Sequence, residues 1–556
     1  MDKYEIAQIL REIGTIIKII DSQPDKGFAY HKAARSIEEA HNFETLLKTD
    51  ELETLPGIGQ KISSYIKTLS EHGQLPYYQY LKGQIPLSLL ELTLIPGLTH
   101  SKIRILFEAL QVTSLDSLKQ ALQEKKLSGL KGFPPSIIKK LESRIKEIGK
   151  SGFSLLYPQA KRLSEALQKA LETYAEKVSV TGSMRRLLET VNSLDFIVVC
   201  SKPEECLAQF KRHSLVVETL LETTSSTTVL LKQGIEATVQ IVSEQDYPLQ
   251  LLKSTGTKKH ILKLKKINKL KNRYSDEADI YQSSGLHYIP PELREGYGEI
   301  ERAKTSDFSD LIKYTDLKGV FHCHTIFSDG HATIEKMAEA AMNKGWNYIG
   351  ISDHSRSSSQ ANGLTEEELL AQIELIHSIN TQLPSFFKIF AGLECDILKD
   401  GQLDFSDSIL KELDFVIISI HSLFKLEKKE MTKRLIKAIE NPYATMLGHV
   451  TGRLLRLRDP YQLDLAKVID ACIANGKVIE LNASPARMDM DWREWSRSRD
   501  KGLKCSINPD AHTTQELDNC IYGVNCARKG WLKKEDVINT LSLEDMVNYL
   551  KCRRPK

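Results

Sequence analysis

From Met1 to about Gly149, short stretches with helical apolar periodicity are interrupted by glycine turns. Three of them read "LPGIGQKISSYI", "IPGLTHSKIRIL" and "LKGFPPSIIKKL". Each joins an apolar residue, a tight glycine turn and a helix carrying lysine, which predicts a helix-hairpin-helix element used repeatedly. From about Ser151 to Val242 the period changes. One amphipathic stretch, "YPQAKRLSEALQKALETYA", precedes the β-rich runs "KVSVTGS", "LDFIVVC", "STTVLLKQ" and "IEATVQIV", predicting a small α+β sheet domain. After "DFSDLIKYTDLKG" come about 240 residues, a size that suits a barrel of alternating strands and helices.

With 556 residues the chain is too long for one core, so two to four domains are expected. The N-terminal "MDKYEIAQILREIG" is charged and helix-like, and no apolar run is long enough to cross a bilayer. That points to a cytoplasmic protein without a membrane partner. Nine scattered cysteines form no CxxC pair, as expected of free thiols in a reducing compartment.

A net charge of +3 does not by itself announce a nucleic-acid binder, but its distribution is uneven. Between Asp246 and Asp276 there is no acidic residue, while eight lysines and Arg273 occur, Lys258 and Lys259 among them. Such a run is a solvated helical face or a phosphate-contacting surface. In the first hairpin, Gly57 and Gly59 would let a phosphate approach backbone N–H groups while Lys61 adds charge. Thr99 and Pro134 replace the second glycine in the other two copies, which leaves them open between phosphate site and plain turn.

The strongest chemistry lies in the last region. Apolar runs repeatedly end in a metal-ligand residue type: "GVFHCHTIFSDG", "NYIGISDHS", "FFKIFAGLECDI", "FVIISIHS", "TMLGHVTG", "VIELNASP" and "KCSINPDAH". In a barrel of parallel strands the C-terminal strand ends gather at one mouth. This would collect His322, His324, Asp329, His354, Glu394, His421, His449, Asp510 and His512 there. Alternation along a strand would turn both imidazoles of His322-Cys323-His324 to one side. Mixed imidazole and carboxylate ligands suit zinc, manganese or iron, and so many imply more than one ion, with Glu394 placed to bridge. Water bound to Glu394-bridged ions would be the nucleophile for phosphate-ester hydrolysis. Arg453 and Arg456 are candidate phosphate clamps, with Arg487 a third.

These residues resemble the polymerase and histidinol phosphatase (PHP) family, whose nine ligand positions are all filled. The resemblance implies a distorted seven-fold (β/α) barrel with two or three divalent ions. His322, His324, Glu394 and Asp510 would hold one ion, Glu394, His421 and His449 a second, and Asp329, His354 and His512 the third. Upstream, "KGFAYHKAARSIEEA", "LPGIGQKI", "TGSMRRLLET", "STGTKKH" and "GLHYIPPELREGYGEIERA" occur in the order seen in bacterial family X DNA polymerases that carry a C-terminal PHP domain. That likeness implies a multidomain chain: all-α helix-hairpin-helix domains at 1–80 (of the 8 kDa kind) and 81–150 (fingers-like), a nucleotidyltransferase-like α+β palm at 151–245, a thumb-like region and linker at 246–312, and the PHP domain at 313–556.

The resemblance also exposes losses. The family holds the two ions of nucleotidyl transfer with three aspartates; here the first pair reads Ser193-Leu194-Asp195, and the third position falls at Thr238. Two divalent ions about 4 Å apart repel by roughly 15 kcal/mol at an effective dielectric of 20, which one carboxylate hardly offsets. Glu236 is the nearest replacement. Gly182, Ser183 and Arg186 still match the triphosphate turn, yet magnesium in the palm is not expected and binding of a nucleoside triphosphate is in question. Tyr65 stands where repair members carry a Schiff-base lysine, and a phenol forms no imine, which leaves another lysine such as Lys32 as the alternative.

The resulting expectation is a DNA-processing phosphodiesterase. Its barrel would act as a 3'-5' exonuclease, with abasic-site or 3'-phosphate activity also open, on gapped or 3'-ended DNA held by the front half. Polymerase activity would be lost or weak. The alternatives are an active gap-filling polymerase with exonuclease, a small-molecule phosphatase, and a DNA-binding scaffold with a structural metal site.

Overall fold

The computed structural model describes residues 1, 3–20, 25–40, 42–267, 270 and 273–553. It divides into two compact units. The first comprises residues 1–155, 159–181 and 192–247, and the second residues 156–158, 182–191 and 248–556. No helix of the described residues is long and apolar enough to cross a membrane.

In the first unit one apolar core runs continuously from Ile6 to Leu141. The three glycine turns have the same backbone: Gly57, Gly97 and Gly132 sit at φ 83°, 82° and 86°, a region open to glycine and costly for other residues. The next residue in each, Ile58, Leu98 or Phe133, is buried. Each then enters a helix, Gln60–His72, His100–Leu110 or Pro135–Ser151. The N-cap positions Gly59, Thr99 and Pro134 are all extended, so the second glycine is not conformationally required. Its replacement leaves the turn unchanged.

The same unit carries a five-stranded sheet of β1 (Lys177–Val180), β2 (Ser193–Val199), β3 (Val216–Glu222), β4 (Ser226–Leu231) and β5 (Glu236–Ile241). The strand order is β1-β2-β5-β4-β3. Strands β2 and β5 are parallel, with Ser193 opposite Glu236 and Asp195 opposite Thr238. Leu194, Phe196, Ala237 and Val239 are buried, so these four paired residues share the other face.

The second unit contains a seven-stranded parallel sheet in sequential order: β6 (Gly319–Cys323), β7 (Tyr348–Ile351), β8 (Lys388–Asp396), β9 (Phe415–Ser419), β10 (Met446–Leu447), β11 (Val478–Asn482) and β12 (Cys505–Asn508). A parallel bridge between Cys323 and Ala511 brings the last strand back to the first, giving a nearly closed barrel. Helices between the strands cover the outside. Inside, Phe321, Tyr348, Phe390 and Phe415 form an aromatic plug. The Phe415 ring fits only because Gly392 has no side chain: a Cβ there would lie 2.2 Å from the ring. The lower barrel is thus filled, which leaves the C-terminal strand ends as the accessible mouth.

Around residues 182–191 and 248–303 of this unit runs a chain of buried ion pairs. Glu277 accepts two hydrogen bonds from Arg185, at 2.6 and 3.0 Å, and another from the fully buried Arg294. Arg294 lies against the rings of both Tyr281 and Tyr288 and donates to the Ile289 carbonyl. Burial would raise the Glu277 carboxyl, but both arginines outweigh it and hold it below the usual range. Glu277→Ala leaves the Arg294 charge buried without its carboxylate, and should destabilise this unit by about 3–5 kcal/mol. The expected readout is a lower midpoint in thermal unfolding of the full chain, with Glu277→Gln intermediate.

Candidate metal centre

The nine predicted residues meet at the barrel mouth. The route taken by the first two differs from simple alternation. Strand β6 carries a register shift against β7 between Val320 and Cys323, and His322 lies at φ 58°. Phe321 already faces the barrel interior and Cys323 packs outside, so an undisturbed strand would send His322 outward. The bulge turns it inward beside His324, with ring centroids 5.2 Å apart.

Glu394, on β8 and 1% exposed, is the hub. Its Oε1 lies 2.9 Å from His449 Nε2 and 3.3 Å from Nε2 of both His322 and His421. Its Oε2 lies 3.0 Å from His354 Nδ1 and 3.7 Å from His324 Nε2. Asp510 Oδ1 is 3.4 Å from His322 Nε2 and 3.3 Å from His324 Nε2. Asp329 stands at the outer edge, 3.3 Å from His512 Nε2, 3.7 Å from His354 Nε2 and 3.9 Å from His324 Nδ1. Four overlapping groups result: His324 with Asp329, His354 and His512; His322 with His324 and Asp510; His322 with Glu394 and His449; and His354 with Glu394 and His421. His324 and His354 therefore each belong to two groups.

The electrostatics follow from this crowding. Burial would raise the Glu394 carboxyl, but His322, His421 and His354 outweigh it and hold it well below the carboxylate range. Asp510 is likewise held well down against burial, by His322, His324 and Arg487. Burial would lower His421, yet Glu394 and Asp396 raise it to about 10. His324 goes the other way, lowered to about 4 by burial and by the neighbouring His354. Its two ring nitrogens and His322 Nε2 are buried and make no hydrogen bond. Buried nitrogens left unbonded are costly, and here they point at carboxylate oxygens across gaps longer than a normal hydrogen bond. The set fits divalent cations between nitrogen and oxygen and is compatible with several of them.

Three supporting carboxylates were not among the expected residues. Glu480, fully buried on β11, accepts from His322 Nδ1 at 2.5 Å, Asn482 Nδ2 at 2.8 Å, Asn508 Nδ2 at 3.0 Å and the His449 backbone at 3.1 Å. This fixes the His322 ring with Nε2 toward Glu394. Asp396 Oδ1 lies 3.1 Å from His421 Nδ1. Asp353 accepts from the Thr325 backbone and hydroxyl, the Ser328 hydroxyl and Gln372, pinning the loop that carries Asp329. The available signal was a carboxylate inside an apolar run, beside or near a candidate ligand, as in "ISDHS", "LECDI" and "VIELN".

The arginines sort differently from expectation. Arg453 is not free to clamp a phosphate: Nε donates to the Arg487 carbonyl at 2.9 Å, Nη1 to Asp491 at 2.6 Å, and Nη2 to the Met488 carbonyl. It acts as a strut for the turn carrying Arg487. Arg487 Nε lies 3.2 Å from Asp510 Oδ2, while its buried Nη1 makes no hydrogen bond. Arg456 lies at φ 67° in a small hairpin closed by a Leu454–Arg458 bridge.

Elsewhere the expected residues are less assembled. Ser193 donates to Asp195 at 2.8 Å, and the Thr238 hydroxyl bonds that of Thr228 at 3.0 Å. Among the described residues, groups of three or more candidate ligands occur in the barrel and none includes Asp195 or Glu236. Gly182 and Ser183 open a short helix, Gly182–Arg185, in the second unit. Arg186 is already bound there by Glu295 at 3.1 Å and the Thr255 carbonyl at 2.7 Å, so a triphosphate would have to displace both. In the first unit a cleft of about 1080 Å³ is lined by Lys26, Tyr30, Gly57, Gly59, Lys61 and Arg104, with Lys61 over the rings of Tyr77 and Tyr65. Lys258 and Lys259 are exposed on the helix Lys258–Ile267, with Lys259 over Tyr297. Of the basic run beyond it, Asn268, Lys269, Lys271 and Asn272 lie outside the described residues.

Comparison with known proteins agrees with this division. Residues 321–484 match the PHP domain family and residues 1–75 the helix-hairpin-helix domain family. Probable phosphatases of Thermoanaerobacter and of Acetivibrio thermocellus are 29% and 28% identical to it, each over 42% of this chain and 95% of their own. The DNA polymerase/3'-5' exonuclease PolX of Bacillus subtilis is 34% identical, over 99% of this chain and all of its own. A likeness that spans helical repeats, sheet and barrel together places the chain in the PolX family, the bacterial family X DNA polymerases with a C-terminal PHP domain.

Proposed function

We propose that this protein is a metal-dependent 3'-5' exonuclease acting on gapped or 3'-ended DNA, built on a polymerase frame whose own nucleotidyl transfer is lost or weak. The observation that carries the reading is the contrast between its two candidate metal sites. At the barrel mouth, six imidazoles and the carboxylates Asp329, Glu394 and Asp510 gather in four overlapping groups. On the palm sheet, Asp195 is left with Ser193 and Thr238 where carboxylates are needed.

His322, His324, Glu394 and Asp510, with His354, His421, His449, Asp329 and His512, would hold two or three ions, of manganese, zinc or iron. Such ions would supply an acidified water and charge stabilisation for a phosphodiester. The chain's own residues set the stage for this. Glu480 and Asp396 orient His322 and His421, and Asp353 holds the Asp329 loop in place. Arg487, braced by Arg453, presents an unbonded N–H beside Asp510, suited to a non-bridging phosphate oxygen. Lys61 and the glycine turns, with the exposed lysines of Lys258–Ile267, would supply sequence-independent backbone contacts.

A second reading is favoured by one finding, the relatives named probable phosphatases that match 42% of this chain and 95% of their own length. A small phosphomonoester would then be turned over without DNA. The two readings, and residual polymerase activity, separate in one assay. A 5'-labelled primer annealed across a short gap is incubated with manganese, with and without all four nucleotides, and run on a denaturing gel. We expect shortening in both lanes and its loss in Glu394→Ala. Lengthening with nucleotides would restore the polymerase to the first rank, and no change in length with rapid release of phosphate from a small ester would favour the phosphatase. Glu480→Gln, which weakens the hold on His322 without touching the mouth, should lower bound metal or hydrolysis roughly 10- to 100-fold, measured by elemental analysis and by the same gel.

A further inference from the structure

Two loops that follow cluster histidines carry large aliphatic side chains that are about half exposed. Leu423, two residues after His421, is 45% exposed, and Leu457, in the hairpin that follows His449, is 53% exposed. Ile326, two residues after His324, is 58% exposed. A single exposed aliphatic residue is ordinary, but three on loops that each follow a cluster histidine form a pattern.

The two leucine loops are built as one rigid piece. The hairpin closes through paired backbone hydrogen bonds between Leu454 and Arg458, both 2.8 Å, and Leu455 N–H bonds the Ala486 carbonyl at 2.6 Å, next to Arg487. Arg458 then donates to the Gly452 carbonyl and stacks on Phe424, 4.2 Å from its centroid. Phe424 also packs against Tyr461, whose hydroxyl bonds the Val450 carbonyl. The residue after Leu423 and the residue after Leu457 are thus locked together beneath the two leucines. Leu423 itself sits at φ 58° and Arg456 at φ 67°, conformations that cost free energy and persist where the surrounding structure imposes them. Charge is one-sided: residues 421–426 and 449–458 contain Lys425, Arg453, Arg456 and Arg458 and no carboxylate.

We propose that Leu423 and Leu457 form a base-contacting wall. It would receive the unpaired terminal bases of a DNA strand whose phosphate lies in the cluster, with the charge of Lys425 and Arg456 on the same loops favouring the backbone. An apolar tip on a basic, preorganised loop suits a nucleobase face, which is apolar and sequence-neutral, better than a small polar phosphomonoester. The inference rests on the exonuclease reading and deepens it, by assigning to Leu423 and Leu457 the contact with the terminal bases.

The test is a cycle on the full chain with manganese. Leu423→Ser, Leu457→Ser and the double variant are compared with the unaltered protein on two single-stranded oligonucleotides. One is ordinary, and the other lacks bases at its last two 3' positions. Both leucines are exposed, so the variants should fold. On the ordinary strand each change should lower kcat/KM roughly fivefold, in keeping with burial of about half a leucine side chain. On the base-free end the double variant should match the unaltered protein. Equal losses on both strands, or none on either, overturn the wall while leaving the nuclease intact. An unaltered protein that shortens neither strand overturns the nuclease reading and the wall with it. Loss of self-association in the same variants, read by sedimentation and without loss of base preference, would assign the leucines to contact between copies and overturn the wall.

Discussion

A single buried carboxylate organises the mouth of the barrel. Glu394 is sealed from solvent and surrounded by the imidazoles of His322, His324, His354, His421 and His449, contributed by loops or strands all around the barrel. A carboxylate in that position would be strongly destabilised by burial alone, and its imidazole neighbours reverse the balance. The same crowding makes the histidines unequal, since carboxylate neighbours push His421 up while burial and the neighbouring His354 push His324 down. An arrangement so dependent on opposing charges is poorly explained as packing and well explained as a cation-binding centre.

Holding nine side chains in register requires a barrel that does not yield. The Phe415 ring against Gly392 fills the lower half, and the bulge at His322 is stabilised by the Glu480 carboxylate, which in turn reaches Asn482, Asn508 and the His449 backbone. Arg453 applies the same principle one layer further out, since it fixes the turn that sets Arg487 beside Asp510. Much of the polar chemistry in the barrel therefore serves orientation, and a smaller set of atoms remains without a partner.

The palm sheet shows the opposite case. Its strands pair in the order β1-β2-β5-β4-β3, and Ser193, Asp195, Glu236 and Thr238 share one face. A β-sheet needs only buried alternate positions to persist, and Leu194, Phe196, Ala237 and Val239 supply them. The exposed face is under no such packing demand, so carboxylates can give way to hydroxyls without disturbing the fold. Arg186 is one member of a chain of ion pairs in the second unit, bound to Glu295, which also accepts from Lys529.

Much of this was legible in residue order. Strand-like runs ending in histidine or a carboxylate announced a barrel with a ligand-rich mouth, and three glycine turns announced repeated helical hairpins, because both patterns repeat a local rule of backbone geometry. Asp195 standing alone was equally plain, since a missing charge needs no fold to be counted. Only the tertiary structure decided that His322 reaches the mouth through a bulge, that Glu480 rather than solvent holds its other nitrogen, and that Arg453 is a strut while Arg487 lies beside Asp510. Each depends on which atom lies across a gap of about 3 Å between segments far apart in sequence. Local pattern specifies which face a side chain leaves from, while its partner is set by how strands and loops close around it.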